Sequence, residues 1–181
     1  QKMLDALENF EFDLAAFEEQ LDRFIEMFEL ALAEQKMDEV VKRLEKLAEE
    51  QEAIMEELSK DEDLATLASR ERRQEESFKT LEQAMKDAAK AMETLSPDAS
   101  QQLSDLAQSE LTESTASDLN EARTEMQNKN SSGASQSGGK ASSGLNEMLE
   151  IVQEIRSEFQ EDTVDELLRK FLALIRNLLY I

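Results

Sequence analysis

The side chains of this chain that could take part in chemistry are carboxylates, hydroxyls, lysines, arginines and one tyrosine, Tyr180. Histidine, cysteine and tryptophan are absent, so the commonest general base, the thiol nucleophile and the usual zinc ligands are missing. A di-iron site in a helical bundle normally needs Glu-x-x-His pairs, which this chain cannot form. We therefore predict a protein that is not an enzyme.

Sequence motifs for bound cofactors or metals are equally absent. There is no Gly-rich phosphate loop, no Gly-x-Ser-x-Gly motif and no calcium-binding loop. The acidic trio at residues 61–63 resembles a calcium loop only in its charge. We expect no cofactor and no metal.

The net charge of −22 restricts the partners that the chain can bind. Nucleic acids and anionic lipid surfaces are held through clusters of Lys and Arg, so binding to either is not expected. The acidity is concentrated in residues 1–35, where ten Asp or Glu stand against Lys2 and Arg23. We interpret this stretch as solvated surface, with a docking face for a basic partner as the alternative. Protein partners or self-association remain as the expected interactions.

One basic cluster, Arg70, Arg72 and Arg73, interrupts this acidity. Its position within a helical stretch predicts pairing with the acidic first helix, or i to i+4 ion pairs along its own helix. Neither kind of pairing implies a binding site.

The elements that position these side chains are helices. Apolar residues recur at alternating steps of three and four, the spacing of helices that pack through one stripe, and Gly (4) and Pro (1) are scarce. We predict an all-α fold, an antiparallel helical bundle or coiled coil of long amphipathic helices. The stripe falls into three registers that do not join: Leu7, Phe10, Leu14, Phe17, Leu21, Phe24, Phe28; then Met37, Val40, Leu44, Leu47, Ile54, Leu58; then Leu64, Leu67, Phe78, Leu81, Met85, Ala88, Met92, Leu95.

Three polar residues, Gln51, Glu71 and Gln74, occupy positions in the second and third registers. Polar residues at such positions weaken a helix seam while they fix its register. This pattern suits a bundle that needs a single alignment of its helices.

The break between the first two registers falls at residues 34–38 and permits two structures. Either one helix continues through a local overwinding, or a tight turn precedes a new helix that is capped by Asp38. The sequence favours the turn, because Asp38 and Glu39 supply the acidic first turn of a new helix. The second helix then ends near Ser59, and the third covers residues 61–95.

Ser96 followed by Pro97 predicts the start of a fourth helix. The Ser and Thr residues at 112–117 should leave that helix frayed or broken near its middle. Residues 128–144 hold six Ser and all four Gly, which predicts a disordered, flexible linker. The expected organisation is a bundle over residues 1–127, this linker, and a C-terminal helical hairpin over residues 145–181 that packs on the bundle, its second helix capped by Asp162 or Thr163.

The stripes also supply the candidate interaction surface. Core packing is the favoured interpretation, and a groove for a lipid or an apolar peptide is the alternative for the phenylalanines of the first register. The last predicted helix is apolar over more than half its circumference, so we interpret it as the central helix of the bundle. The alternatives are a helix that binds a missing segment or a second copy and, less favoured, a helix that lies in a membrane interface. The candidate packing or interaction residues are Phe10, Phe17, Phe24, Phe28, Leu44, Leu47, Phe78, Leu81, Phe171 and Ile175.

Targeting signals are not evident in the sequence. No stretch approaches the roughly 20 consecutive apolar residues that span a bilayer, and no signal-peptide pattern opens the chain. The lack of cysteine is compatible with cytoplasm and periplasm alike. Because the chain begins at Gln1 and ends in an apolar run at residues 178–181, we expect it to be a piece of a longer protein.

Three stretches carry a resemblance to a known family: residues 12–23, with Phe12-Asp13-Leu14 and Leu21-Asp22-Arg23, then residues 33–44 and residues 172–181. They resemble the coiled-coil region of large bacterial membrane-anchored proteins, a domain of unknown function. The resemblance covers most of the chain but not residues 128–144. It implies that the chain is an interior fragment of a cell-envelope protein whose membrane helices lie outside this fragment. The fragment itself is expected on the periplasmic face of the membrane, with the cytoplasm as the alternative location.

These patterns lead to two functional hypotheses. The first is a non-catalytic helical scaffold, spacer or assembly region of a larger bacterial envelope protein. The alternative is a binding module that presents an apolar helical groove to a peptide, a lipid or a client protein. The oligomeric state stays open, since a heptad pattern does not say whether its partner helix belongs to the same chain.

Overall fold

The computed structural model describes the backbone of residues 2–60 and 63–179, and the side chains of residues 18, 21–60 and 63–164. The predicted all-α fold is confirmed, since the described backbone forms helices and contains no β-strand. Four helices pack together with a short fifth beside them. The helices are α1 (Lys2–Leu58), α2 (Leu64–Met92), α3 (Pro97–Leu106), α4 (Glu110–Gln127) and α5 (Ser131–Leu179).

The first helix is continuous, so the predicted turn at residues 34–38 is wrong. This stretch contains no Gly or Pro, and four of its five residues are the strong helix formers Glu, Gln, Lys and Met. Asp38 does not begin a new helix; its carboxylate instead binds Arg156 of α5, with 2.6 Å between Oδ1 and Nη2. The change of register is therefore carried within a single helix of 57 residues.

Local signals place the starts of α2 and α3. The Asp63 carboxylate caps α2 by accepting hydrogen bonds from the Thr66 hydroxyl and from the amides of Ala65 and Thr66, and these bonds, chiefly the one from the hydroxyl, lower the pKa of Asp63. Pro97 opens α3 as predicted. The Ser96 hydroxyl makes no cap and instead donates to Asp162 of α5.

The predicted fourth helix is divided in two, but before its Ser- and Thr-rich part rather than within it. The chain leaves α3 after Leu106, and Ser109 caps α4 by accepting from the amide of Thr112 at 3.2 Å. Residues 112–117 are helical. The Thr115 hydroxyl donates to the carbonyl of Leu111 at 2.7 Å, so it is satisfied within the helix instead of breaking it.

The predicted linker at residues 128–144 is wrong from Ser131 onward, because α5 begins there and runs unbroken through the predicted hairpin to Leu179. Its small residues Ala134, Ala141 and Gly144 are buried, which compensates for the poor intrinsic helix propensity of Ser and Gly. At the predicted cap of a last helix, the Thr163 hydroxyl donates to the carbonyl of Phe159 at 2.9 Å inside α5.

The core confirms the second and third registers. All the apolar residues named for the second register are buried, and so are those of the third between Leu67 and Met92. Along α1 and α2, Arg43 contacts Thr80, Gln51 contacts Glu71 and Glu57 contacts Arg70, so residue numbers rise on one helix as they fall on the other. Within the described residues, no helix is long and apolar enough to cross a membrane.

Candidate interaction surface

Among the side chains that the structure describes, the largest set of exposed apolar ones lies on residues 21–32 of α1, which we name the α1 arm. From Ala33 onward the same helix buries a residue at every third or fourth position. On the arm, six large apolar side chains are about half exposed or more: Leu21 (48%), Phe24 (58%), Ile25 (47%), Met27 (60%), Phe28 (75%) and Leu32 (49%). Exposed apolar side chains gathered in this way are typical of an interaction site.

We call the line of Leu21, Phe24 and Phe28 the apolar stripe of the arm, and it lies on the side of the helix opposite the bundle face of α1. Phe28 precedes the buried Met37 by nine residues, which is about two and a half turns of an α-helix. Leu21 and Phe24 lie on the same side as Phe28 by the same reckoning. The change of register in the sequence therefore means that the apolar residues move to the opposite side of one continuous helix.

Acidic residues flank this stripe. Asp22 and Glu29 each follow a residue of the stripe, and Glu18 lies one turn before Asp22, so the three form a row beside the stripe. The only cation of residues 18–32 is Arg23. A partner helix on the stripe would meet negative charge along one of its edges.

The structure divides the predicted stripe residues into three groups. Leu44, Leu47, Phe78 and Leu81 lie in the core, as helix packing requires. Phe24 and Phe28 are exposed, so the core-packing interpretation is wrong for these two. Phe10, Phe17, Phe171 and Ile175 lie outside the residues whose side chains are described.

A second candidate is a groove of about 500 Å³ between α1 and α2, which the sequence reasoning missed. Arg43, Lys46, Arg70 and Arg73 line it. Two of these cations already hold carboxylates: Arg43 binds Glu39 at 2.5 Å, and Arg70 binds both Glu50 at 2.9 Å and Glu57 at 2.5 Å. The groove is thus largely neutralised by the chain itself.

Of the two pairings predicted for the basic cluster, the i to i+4 pair along its own helix is confirmed. Arg70 pairs with Glu50 and Glu57 rather than with the acidic stretch at residues 1–35. Arg70 reaches two carboxylates of α1, and these bonds, first the one with Glu57, raise its pKa. Arg72 forms the i to i+4 pair with Glu76, at 3.2 Å on an exposed surface. The Arg73 side chain lines the groove.

A buried polar cluster joins α1 and α2. The Gln51 amide donates to Glu71 Oε1 at 3.1 Å, and the Gln74 amide donates to the carbonyl of Leu47 at 2.8 Å. Glu71 is fully buried, and its Oε2 has no hydrogen-bond partner. Burial raises the pKa of Glu71 to about 7, against the opposing effect of the hydrogen bond from Gln51. These are the three polar residues that the sequence places in the stripes.

Among the described residues, no three Asp or Glu side chains converge as ligands for a metal ion. No protein-family model, curated protein or solved structure matches this chain. The function must therefore be argued from the α1 arm and the bundle that carries it.

Proposed function

We propose that this chain is a non-catalytic helical scaffold that assembles protein partners through the apolar stripe of its α1 arm. One observation carries the proposal: α1 buries most of its apolar residues from Ala33 to Leu58 but exposes six large ones from Leu21 to Leu32. The first part anchors the helix in the bundle, and the second part presents a surface that is costly to leave in water.

The bundle supplies the rigidity that a scaffold needs. We propose an antiparallel, coiled-coil-like arrangement of α1, α2, α4 and α5, supported by the opposed numbering of the contacts between α1 and α2. The buried cluster of Gln51, Glu71 and Gln74 lies at stripe positions, where polar residues fix one register. The resemblance to bacterial membrane-anchored proteins extends the proposal to an assembly region of a larger envelope protein.

The alternative is a binding module that uses the same stripe to capture an apolar peptide, a lipid or an unfolded client. The exposure of Phe28 favours this function as well. The two functions differ in what covers the stripe: a scaffold holds a partner there at rest, whereas a binding module keeps the stripe open until its ligand arrives.

The experiment compares the wild-type chain with a Phe24→Ser, Phe28→Ser variant, using light scattering, binding of an apolar fluorescent dye and thermal unfolding. A scaffold predicts association that the variant loses, with a melting temperature within about 2 °C of wild type because the arm lies outside the core. Leu44→Ala is the matched control, since Leu44 is fully buried and its truncation should cost about 2–5 kcal/mol.

Other outcomes discriminate between the two functions. A monomeric wild type that binds the dye strongly through Phe24 and Phe28 would favour the binding module over the scaffold. A double variant that melts as early as Leu44→Ala would mean that the stripe belongs to the core. Absence of both association and stripe-dependent dye binding would exclude both functions.

A further inference from the structure

We infer that the arm stripe binds the end of α5, residues 165–179, of a second copy of this chain, giving a two-fold symmetric dimer. The inference rests on the proposed function, because it names the partner that covers the stripe. In such a dimer each copy contributes one α1 arm and one α5 end, so the same contact forms twice.

The stripe faces away from its own bundle. Met37 and Val40 mark the side of α1 that is buried against the other helices, and Phe28 lies about two and a half turns before Met37, on the opposite side. A partner on the stripe therefore has to approach from outside this bundle.

Helix α5 runs toward the arm end of α1. Asp38 of α1 binds Arg156, and Met55, further along α1, lies against Gly138, earlier in α5. Residue numbers on α5 therefore rise toward the arm end of α1. The α5 end and the α1 arm continue two packed helices at the same end of the bundle. A single two-fold axis can therefore place the arm of each copy against the α5 end of the other.

The exposed apolar surface of the arm is large enough for a dimer interface. The six exposed side chains of the arm offer roughly 650 Å² of apolar area per copy at their observed exposure, and two copies would contribute on the order of 1,300 Å². That total lies within the range of about 1,200–2,000 Å² buried by stable interfaces. A second copy therefore supplies enough area without any further partner.

Charge selects the α5 end rather than a second arm. The arm carries Asp22, Glu26 and Glu29 against Arg23, so two arms placed side by side would repel each other. Residues 165–179 combine a run of apolar residues with Arg169, Lys170 and Arg176 against only Asp165 and Glu166. This segment has the apolar character and the positive charge that the acidic row of the arm requires.

The experiment measures the mass of the full 181-residue chain by light scattering over a range of concentrations. Wild type should have twice the monomer mass of 20.6 kDa. Two charge-reversal variants, Asp22→Lys with Glu29→Lys on the arm and Arg169→Glu with Lys170→Glu on α5, should each weaken the dimer by about tenfold or more. An equimolar mixture of the two variants should restore a dimer, because both contacts of the mixed dimer join opposite charges.

The mixture is the decisive sample, since pairing of an arm with the α5 end of its own chain would produce no mixed dimer. A monomeric wild type, or a dimer that Phe24→Ser with Phe28→Ser leaves intact, would overturn the inference. So would charge-reversal variants that fail to recombine. If the inference fails but association or dye binding still depends on Phe24 and Phe28, the proposed function of the stripe is retained. If neither depends on these residues, the proposed function is excluded as well.

Discussion

Gly144 of α5 lies directly against the side chain of Thr115 of α4. A methyl group at Gly144 would overlap Thr115 Oγ1, and the branched Thr115 side chain is held in place because its hydroxyl donates to the carbonyl of Leu111 at 2.7 Å. The two helices therefore approach each other more closely here than any side chain at Gly144 would permit. This contact explains why a Ser- and Gly-rich stretch is built into the bundle.

Substitution of glycine by alanine should have opposite effects on stability at Gly144 and at Gly139 of α5. Gly144→Ala should destabilise the bundle by about 1–2 kcal/mol, because overpacking exceeds the gain in helix propensity. Gly139→Ala meets no atom within 4 Å, so it should stabilise by about 0.5–1 kcal/mol. Urea unfolding followed by circular dichroism measures both, and equal effects at the two positions would contradict the close approach.

The ion pair between Arg123 of α4 and Glu75 of α2 should contribute more than the surface pairs. Its side chains are only 22% and 15% exposed, and Asn120 also donates to Glu75 at 3.2 Å. Arg123→Ala leaves that carboxylate without its cation in a half-buried site, so we expect a loss of about 1–3 kcal/mol. Arg72→Ala is the matched control, since Arg72 is 72% exposed in its pair with Glu76, and it should cost at most about 0.5 kcal/mol. Similar losses in chemical denaturation would show that burial of the first pair is unimportant.

Stability should depend on pH through Glu71. Its pKa is raised by burial from 4.5 to about 7, so below pH 4.5 the folded and unfolded chains both hold the proton and folding carries no penalty at this site. As the pH rises from 4.5 to about 7, the unfolded chain releases the proton first and is favoured. The contribution of this group to stability is therefore lost across that window and stays lost above it.

Glu71→Gln removes this titration while it keeps an oxygen that can accept from Gln51. The difference in unfolding free energy between the variant and wild type should rise by on the order of 3 kcal/mol between pH 4.5 and pH 8. Glu76→Gln, on the exposed face of the same helix, controls for the general loss of negative charge. A difference that does not change with pH would mean that water reaches the Glu71 carboxylate in the folded protein.

Periodicity predicted the parts of the fold in which large apolar residues keep one register. Spacing alone predicts that the apolar residues of the second register, and those of the third from Leu67 to Met92, lie in the core, and they are buried. Even the polar positions Gln51, Glu71 and Gln74 follow the same spacing and are buried. Burial on one side of a helix imposes this pattern directly, so it can be detected without the structure.

The predicted linker and the predicted turn are both wrong, the first because it rests on composition and the second because it rests on a change of register. Residues 128–144 suggested a linker because Ser and Gly rarely offset their ordering entropy, yet Ala134, Ser137 and Ala141 keep the three-and-four spacing that continues to Leu145 and Met148. The register change before Met37 suggested a turn, although no Gly or Pro lies there. Positional spacing of small residues was the missed signal in the first case, and uninterrupted helix propensity in the second.

The helical state of the former linker can be tested by hydrogen exchange. Backbone amides of residues 134–144 should exchange at least about 100-fold more slowly than those of residues 128–130, because the former lie inside α5. The amides of residues 128–130 donate to carbonyls of α4, but they lie at an exposed helix end, which opens readily. The amides of α4 serve as the reference for a packed helix. If residues 134–144 exchange as fast as the connection, they do not form a stable helix in solution, and the opposite effects expected for Gly144→Ala and Gly139→Ala should disappear with it.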